Sequence, residues 1–398
     1  MNPKIFESSR LSQRSELNSC GLSVLKRTLE LCVQKTRTNI KDLADQPTTT
    51  WSHDVSGRYE NYAEKFYEIG NWTTSFFTGM ALLAWRETED EFFLNQVLRL
   101  APHYHEKAVH RFLDMHHDAG FLYSLYSVAL YKLTGDKAHR DVGIAAAKAL
   151  AQRFNEKGNF IRAWGRLDSD EHADMAIIDC LMNLPLLHWA SAETDDKSYS
   201  RIAIRHADMA LNCFVRPDGS VNHAYRFDLQ TGKPLGADNF CGYDAHSHWA
   251  RGATWAIYGF ALSYGYTQDC RYLEASIRLA KKFIEQLDEQ VIPIWDFKLP
   301  PEATRECDAS AAAIMVCGLQ ELDKHQAADA GMLQAKNGLM NRICSEDYLD
   351  FNPGCRGVLS KCQTGNGLGK ARHSYTSWGD YFLMEALTRE LNQGETFW

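Results

Sequence analysis

FLYSLYSVALYKLTGDKAHRDVGIAAAKALAQRF, residues 121–154, holds two helix-patterned runs joined by a short polar phrase. The phrase is Thr134, one residue, Asp136, two residues, His139. Thr and Asp compete for nearby backbone hydrogen bonds, so they favour a turn and the cap of the helix that follows. The leading run is apolar nearly all round, as in a helix buried on both sides, and the trailing run has one apolar face. The phrase returns as Thr88, Asp90, Phe93, as Thr194, Asp196, Tyr199, and as Thr267, Asp269, Tyr272. Each copy sits between two helix-patterned stretches. After the third, Ile202, His206, Met209 and Cys213 fall at spacings of three and four, which marks a buried helix face. The phrase therefore predicts a helical hairpin with an inner helix leading and an outer helix following.

Two further hairpins complete the set. AAAIMVCGLQEL leads into HQAADAGMLQAKNGLM, and the C-terminal YTSWGDYFLMEALTREL pairs with the N-terminal SVLKRTLELCVQ. Six hairpins make a closed double-layer toroid, with an open solenoid as the plainer alternative. Uneven hairpin spacing and the long loop RPDGSVNHAYRFDLQTGKPLGADNFCGYD favour closure, since long loops in a compact domain usually carry function. The expectation is one catalytic domain over 1–398, with 1–20 as a flexible or peripheral segment.

Composition narrows the classes. The 398 residues are 45% hydrophobic and 24% charged, with a net charge of -8 and no long basic run. That speaks against a nucleic-acid binder. No apolar stretch is long enough to span a membrane, and the polar start lacks a secretory core, so a cytoplasmic location is expected. The 11 Cys are odd in number and scattered. They read as reduced residues rather than a disulfide or zinc framework. His103 with His105 and His116 with His117 lack a helical metal-binding spacing. Ten Trp suit either a large core or a sugar cleft, where an indole stacks on the apolar face of a sugar.

The residues able to do chemistry gather at the beginnings of inner helices. They are Trp72 in GNWTTSFFTGM, the cluster His116, His117, Asp118 in MHHDAGFLYS, and Asp174 to Asp179 in ADMAIIDCLMN. Asp179 lies among Ile177, Ile178, Leu181 and Met182. A carboxylate in an apolar run is either a structural hydrogen-bond hub or a functional acid. If Asp118 faces it, the pair can hold one proton and one charge, the usual equipment of glycoside chemistry. WARGATWAIYGF adds Trp249, Arg251 and Trp255. These are either core Trp with an Arg tied to a neighbouring carboxylate, or an aromatic floor with a guanidinium aimed at a ligand carboxylate. His223 is a further candidate.

Taken together, HDAGFLYSLYSVALYKLTGD, AIIDCLMNLPLLHWA, VRPDGSVNHAYRFDLQTG, GYDAHSHWARGATWAIYGF, IPIWDFKLP and SWGDYFLMEAL resemble the unsaturated glucuronyl hydrolases of glycoside hydrolase family 88. The resemblance implies an all-α (α/α)6 barrel. It also implies removal of the 4-deoxy-hex-4-enuronate residue that polysaccharide lyases leave at the non-reducing end of oligosaccharides. Asp179 corresponds to the family's general acid and base, and Asp118 to its second essential carboxylate. Trp72, His117, Trp164, His223, Trp249, Arg251 and Trp255 correspond to residues lining its sugar cleft. No metal or organic cofactor is implied. The implied partner is an unsaturated uronic-acid oligosaccharide, with neither nucleic acid nor membrane, and the protein is expected as a monomer or homodimer. The chain departs from the family pattern at Cys241, where Gln is common, and at Ala245–His248. The nearest rival is an unsaturated rhamnogalacturonyl hydrolase acting on pectin fragments. A sugar 2-epimerase would rely on paired His, and a non-catalytic helical scaffold leaves the polar clusters unexplained.

Overall fold

The computed structural model describes residues 19–46, 53–54, 59, 72–289, 291–365, 374–392 and 394–398. Nearly all of the expected N-terminal segment 1–20, and residues 366–373 of the loop GVLSKCQTGNGLGKARHS, lie outside the described residues. Helix α1 (Ser19–Asp45) comes first, on the outside. Inner α2 (Thr74–Thr88) is followed by outer α3 (Glu91–Leu98) and α4 (Ala101–Val109). The next inner rod is α5 (Ala119–Tyr123), a π segment at Ser124–Val128, and α6 (Ala129–Thr134), with outer α7 (Lys137–Gln152) behind it. Inner α8 (Leu184–Thr194), α10 (Ala250–Thr267) and α12 (Ala309–Lys324) are backed by outer α9 (Lys197–Cys213), α11 (Cys270–Glu285) and α13 (Ala330–Ile343). The last inner helix, α14 (Ser377–Asn392), packs against α12 on one side and α2 on the other, with α1 behind it. The ring therefore closes into the expected (α/α)6 barrel, and the open solenoid is excluded.

The four copies of the polar phrase form one turn built four times. Thr88, Thr134, Thr194 and Thr267 each donate their hydroxyl to the carbonyl four residues back, at 2.7 Å. The residue after each Thr takes the left-handed conformation: Glu89, Gly135, Asp195 and Gln268. The Asp then caps the outer helix through an amide two residues on, at 2.8–3.0 Å. The aromatic or His at the end of the phrase turns inward, with Phe93 and Tyr272 fully buried.

Burial follows the same division. Every residue of α2 from Thr74 to Ala84 is buried, as is every residue of α10 from Ala250 to Ser263. Outer helices bury one stripe, in α11 through Tyr272, Ala275, Leu279 and Phe283. In α9 that stripe is Ala203, His206, Ala207 and Ala210 together with Met209. Ile202 and Cys213, expected within it, lie on its rim. No helix among the described residues is long and apolar enough to cross a membrane.

Short strands bridge one end of the barrel. Met175–Ile177, Ala224–Phe227 and Pro234–Asp238 form an antiparallel three-stranded sheet, and Ile178 donates its amide to the His223 carbonyl at 2.9 Å. This sheet delivers Asp179 to the mouth of the barrel, where the sequence pattern predicts an inner helix instead. Asp179 lies in a 3₁₀ turn, Ile178–Asn183, between the strand and α8. Pro185 explains the correction. It stands in the first turn of α8, where a missing N–H costs nothing, so the α-helix starts at Leu184 and not upstream.

Candidate active site

Asp118 occupies the N-cap position of α5, yet its side chain caps nothing. Asp90, Asp136, Asp196, Asp269, Asp308 and Asp329 hold the same position on other helices, and all six accept an amide there. The Asp118 carboxyl is turned to other partners. It lies 3.3 Å from Nε2 of His117, and burial followed by the charge of Asp179 pushes its pKa well above the usual carboxylate range.

Asp179 meets it from the 3₁₀ turn. Burial pushes its carboxyl up to about 7, against the pull of the Arg251 charge and the Trp255 indole. The Trp255 N–H acts on the carboxyl without closing a hydrogen bond of ordinary geometry, and Asp179 Oδ2 has no hydrogen-bond partner among the described residues. The two side chains keep 12% and 14% of their surface open, enough for a ligand to reach. Burial raises both carboxyls and the Asp179 charge raises Asp118 further, so the pair retains a proton close to neutrality.

The neighbouring histidines are neutral. Burial lowers His223 to about 3 and drives His117 well below its usual value. His223 Nδ1 accepts the amides of Phe240 and Cys241, each at 3.1 Å. Its proton therefore sits on Nε2, which lies 3.8 Å from Asp179 Oδ2. Burial holds the Cys241 thiol up at about 12, so it is no nucleophile.

Aromatic rings frame the carboxyls. Trp249, at the N-cap of α10, packs on His223 at 4.7 Å. Trp72 stacks on Trp378 at 4.7 Å. Trp164 meets Phe240 edge-on at 4.6 Å and so joins the group through the loop that holds His223. Most of the residues named from the sequence thus converge on one mouth. Arg251 lies over Trp249 and Trp378, but its guanidinium is committed to Asp308 Oδ2 at 2.9 Å and to the carbonyls of Gln363 and Thr364. These bonds tie a loop to the barrel. Trp255 is wholly buried, with its indole N–H acting on the Asp179 carboxyl. Asp174 is not part of the cluster and pairs with Arg226 on the sheet at 2.9 Å.

The pattern of Glycosyl Hydrolase Family 88 matches residues 40–264. The chain belongs to that family. Among family 88 relatives, an unsaturated chondroitin disaccharide hydrolase of Streptococcus pneumoniae is 34% identical over 332 residues, covering 82% of this chain and 83% of the relative. The solved structure of the unsaturated glucuronyl hydrolase of Bacillus sp. GL1, described as responsible for glycosaminoglycan degradation, superposes with a TM-score of 0.85. It is 31% identical and covers 93% of this chain and 97% of its own. An Asp-to-Asn variant of the Streptococcus agalactiae unsaturated glucuronyl hydrolase, solved with dGlcA-GalNAc6S, superposes at 0.79 with 27% identity, covering 96% and 94%.

In this family 88 glycoside hydrolase several supporting residues escaped the sequence reading. Arg153 is buried and spends its guanidinium on the carbonyls of Met115, Arg162, Trp164 and Gly165, which ties the Asp118 segment to the Trp164 loop. Asn183 Oδ1 accepts the Phe121 amide at 2.7 Å and joins α5 to the 3₁₀ turn. Asp308 partners Arg251 and caps α12, a role its place before the apolar run ASAAAIMV could have shown.

Proposed function

We propose that this glycoside hydrolase removes the unsaturated glucuronyl residue from the non-reducing end of lyase-generated oligosaccharides, glycosaminoglycan disaccharides first among them. The carrying observation is the buried carboxyl pair, with Asp179 holding its proton up to about pH 7 beside a neutral His223. The activity named for the pneumococcal relative and the ligand held by the S. agalactiae variant support this substrate class.

The alkene of the substrate joins carbons 4 and 5 next to the ring oxygen, so it is a vinyl ether. Neutral Asp179 gives its proton to carbon 4, and positive charge spreads over carbon 5 and the ring oxygen. The Asp179 carboxylate then takes a proton from water as the water oxygen bonds to carbon 5. The resulting hemiketal opens to a ketone at carbon 5, and the ring oxygen becomes a hydroxyl on carbon 1. That centre collapses to an aldehyde and releases the rest of the oligosaccharide as an alcohol. Asp118 holds a sugar hydroxyl and steadies the developing charge. Trp72, Trp164 and Trp249 supply apolar ring surface, His117 and His223 supply polar edges, and the inner-helix N-termini at this mouth favour an anionic uronate. The reaction uses one catalytic domain, needs no metal or cofactor, and takes place in the cytoplasm; the free thiols of the described Cys support that location.

The test is incubation with a panel of unsaturated disaccharides from chondroitin, hyaluronan, heparin and pectin lyases, following loss of alkene absorbance. Turnover of the glycosaminoglycan products, abolished in a folded Asp179→Asn variant, is expected. Activity confined to pectin fragments, or an active Asp179→Asn protein, would end the assignment.

A further inference from the structure

Below Asp179 the barrel axis is filled with rings. Trp255 lies against the carboxyl, and its own ring meets Phe121 of α5 and Phe382 of α14, each at 5.4 Å. Phe76 of α2 completes the layer at 5.5 Å from Phe121 and 5.8 Å from Phe382. All four side chains are without exposed surface. On the far side of this layer the chemistry turns polar. Glu385 accepts the hydroxyls of Tyr258 and Tyr381, each at 2.7 Å, and Arg389 pairs with Glu321 at 2.8 Å.

Trp398 stands between the two regions. Its ring stacks on Phe382 at 6.0 Å and meets Phe121 edge-on at 5.9 Å, while its N–H donates to Glu385 Oε2 at 2.8 Å. Only 5% of it is exposed. The segment that carries it is pinned from two inner helices. Lys132 of α6 donates to the carbonyls of Phe397 and Trp398 at 3.1 and 3.2 Å. Arg86 of α2 donates to the Glu395 carbonyl at 2.7 Å and lies over the Phe397 ring.

We propose that Trp398 is a positioning residue for the reaction. Seated by residues 394–398, it stoppers the far end of the barrel and keeps water from reaching the floor of the Asp179 site. The inference rests on the reading of Asp179 as proton donor. Deleting the indole would leave a void lined on one side by the Glu385 carboxyl and the Tyr381 hydroxyl that shares its Oε2, and a void with such partners takes up water. That water would stand against Phe121 and Phe382, one ring away from Trp255. The titratable groups that face Asp179 are Asp118, Cys180, His223, Cys241 and Arg251, and none belongs to 394–398. Their influence stays fixed while the dryness of the site changes.

The experiment is the pH dependence of kcat/KM on an unsaturated disaccharide for wild type, Trp398→Ala, Trp398→Leu and Trp398→Phe, with melting curves alongside. The alkaline limb of the Ala and Leu proteins is expected about half a pH unit or more below that of wild type, with activity retained at pH 5 and Phe restoring most of the shift. A general loss of stability would scale the whole profile without moving its limb. If Trp398→Ala does not fold, the Leu and Phe proteins make the same measurement with smaller voids. An unmoved limb in the folded variants overturns the stopper. An active Asp179→Asn protein overturns the parent reading instead, so the two failures are separable.

Discussion

His223 Nε2 lies 3.8 Å from Asp179 Oδ2, and the other nitrogen of the same ring accepts two backbone amides. A ring bonded in this way has one tautomer available and is held neutral by burial. Its N–H is therefore a fixed dipole beside the carboxyl, which in the proposed mechanism steadies the carboxylate left once the proton has gone to carbon 4.

Nitrogen-15 spectra should accordingly show His223 protonated on Nε2 alone from pH 5 to pH 8. His223→Ala should lower kcat by about 100-fold, the usual cost of one fixed donor at a developing charge. A His223 titration midpoint inside that pH range would contradict the assignment.

The Asp179 carboxyl links rate and stability to one titration. Its pKa is about 7 in the fold against an ordinary value of 3.8, so the folded state holds this proton more tightly than the unfolded chain. The associated stabilisation is complete below pH 4 and is lost as pH rises through 7. Asp179→Asn carries no charge to bury. It should match wild type at pH 4 and exceed it at pH 8 by about 4 kcal/mol, read by calorimetry at the two pH values. A gap of the same size at both would mean that the carboxyl is not the titrating group.

Much of this was legible in the sequence, for identifiable reasons. The hairpins announced themselves because Thr and Asp do the same local work in each turn, whatever surrounds them. Asp118 and Asp179 were found because acids beside apolar runs are costly and therefore informative. Their setting was harder to read. Asp179 sits in a 3₁₀ turn at the end of a strand whose partners, Ala224–Phe227 and Pro234–Asp238, come from a distant loop. Local periodicity carries no record of such pairing. The partners of Arg251 were unreadable for a similar reason, because Asp308, Gln363 and Thr364 are 57, 112 and 113 residues away.

That network makes its own prediction. Arg251→Met would leave Asp308 buried without its cation and free the Gln363 and Thr364 carbonyls, at a cost of about 3–5 kcal/mol. Hydrogen exchange at Gln363 and Thr364 should quicken. The double change Arg251→Met with Asp308→Asn should recover part of the loss. Because the Arg251 charge pulls the Asp179 pKa down, any residual activity should extend to higher pH than in wild type. A limb displaced toward acid would show that Arg251 does not act on Asp179.

The two carboxyl-bearing segments meet at Gly120, where there is no room for a side chain. A Cβ there would come within 2.3 Å of the Asn183 Cα and 2.6 Å of its carbonyl oxygen. Backbone cannot step aside as the end of a flexible side chain can, so Gly120→Ala must force α5 and the 3₁₀ turn apart. Asp118 stands two residues before the wedge and Asp179 four residues before Asn183, so the separation falls on the proposed catalytic pair. The same movement stretches the bond from the Phe121 amide to Asn183 Oδ1. Overpacking of this kind costs about 1–3 kcal/mol, which a barrel of this size can bear. A displacement near 1 Å at the reacting groups costs about 100-fold in rate. Gly120→Ala should therefore fold, melt somewhat earlier and lose kcat far out of proportion to its stability. Asn183→Ala, which removes the bond without inserting a wedge, should lose less. Equal activity in wild type and a folded Gly120→Ala protein would show that the spacing of the two carboxyls is not what the reaction depends on.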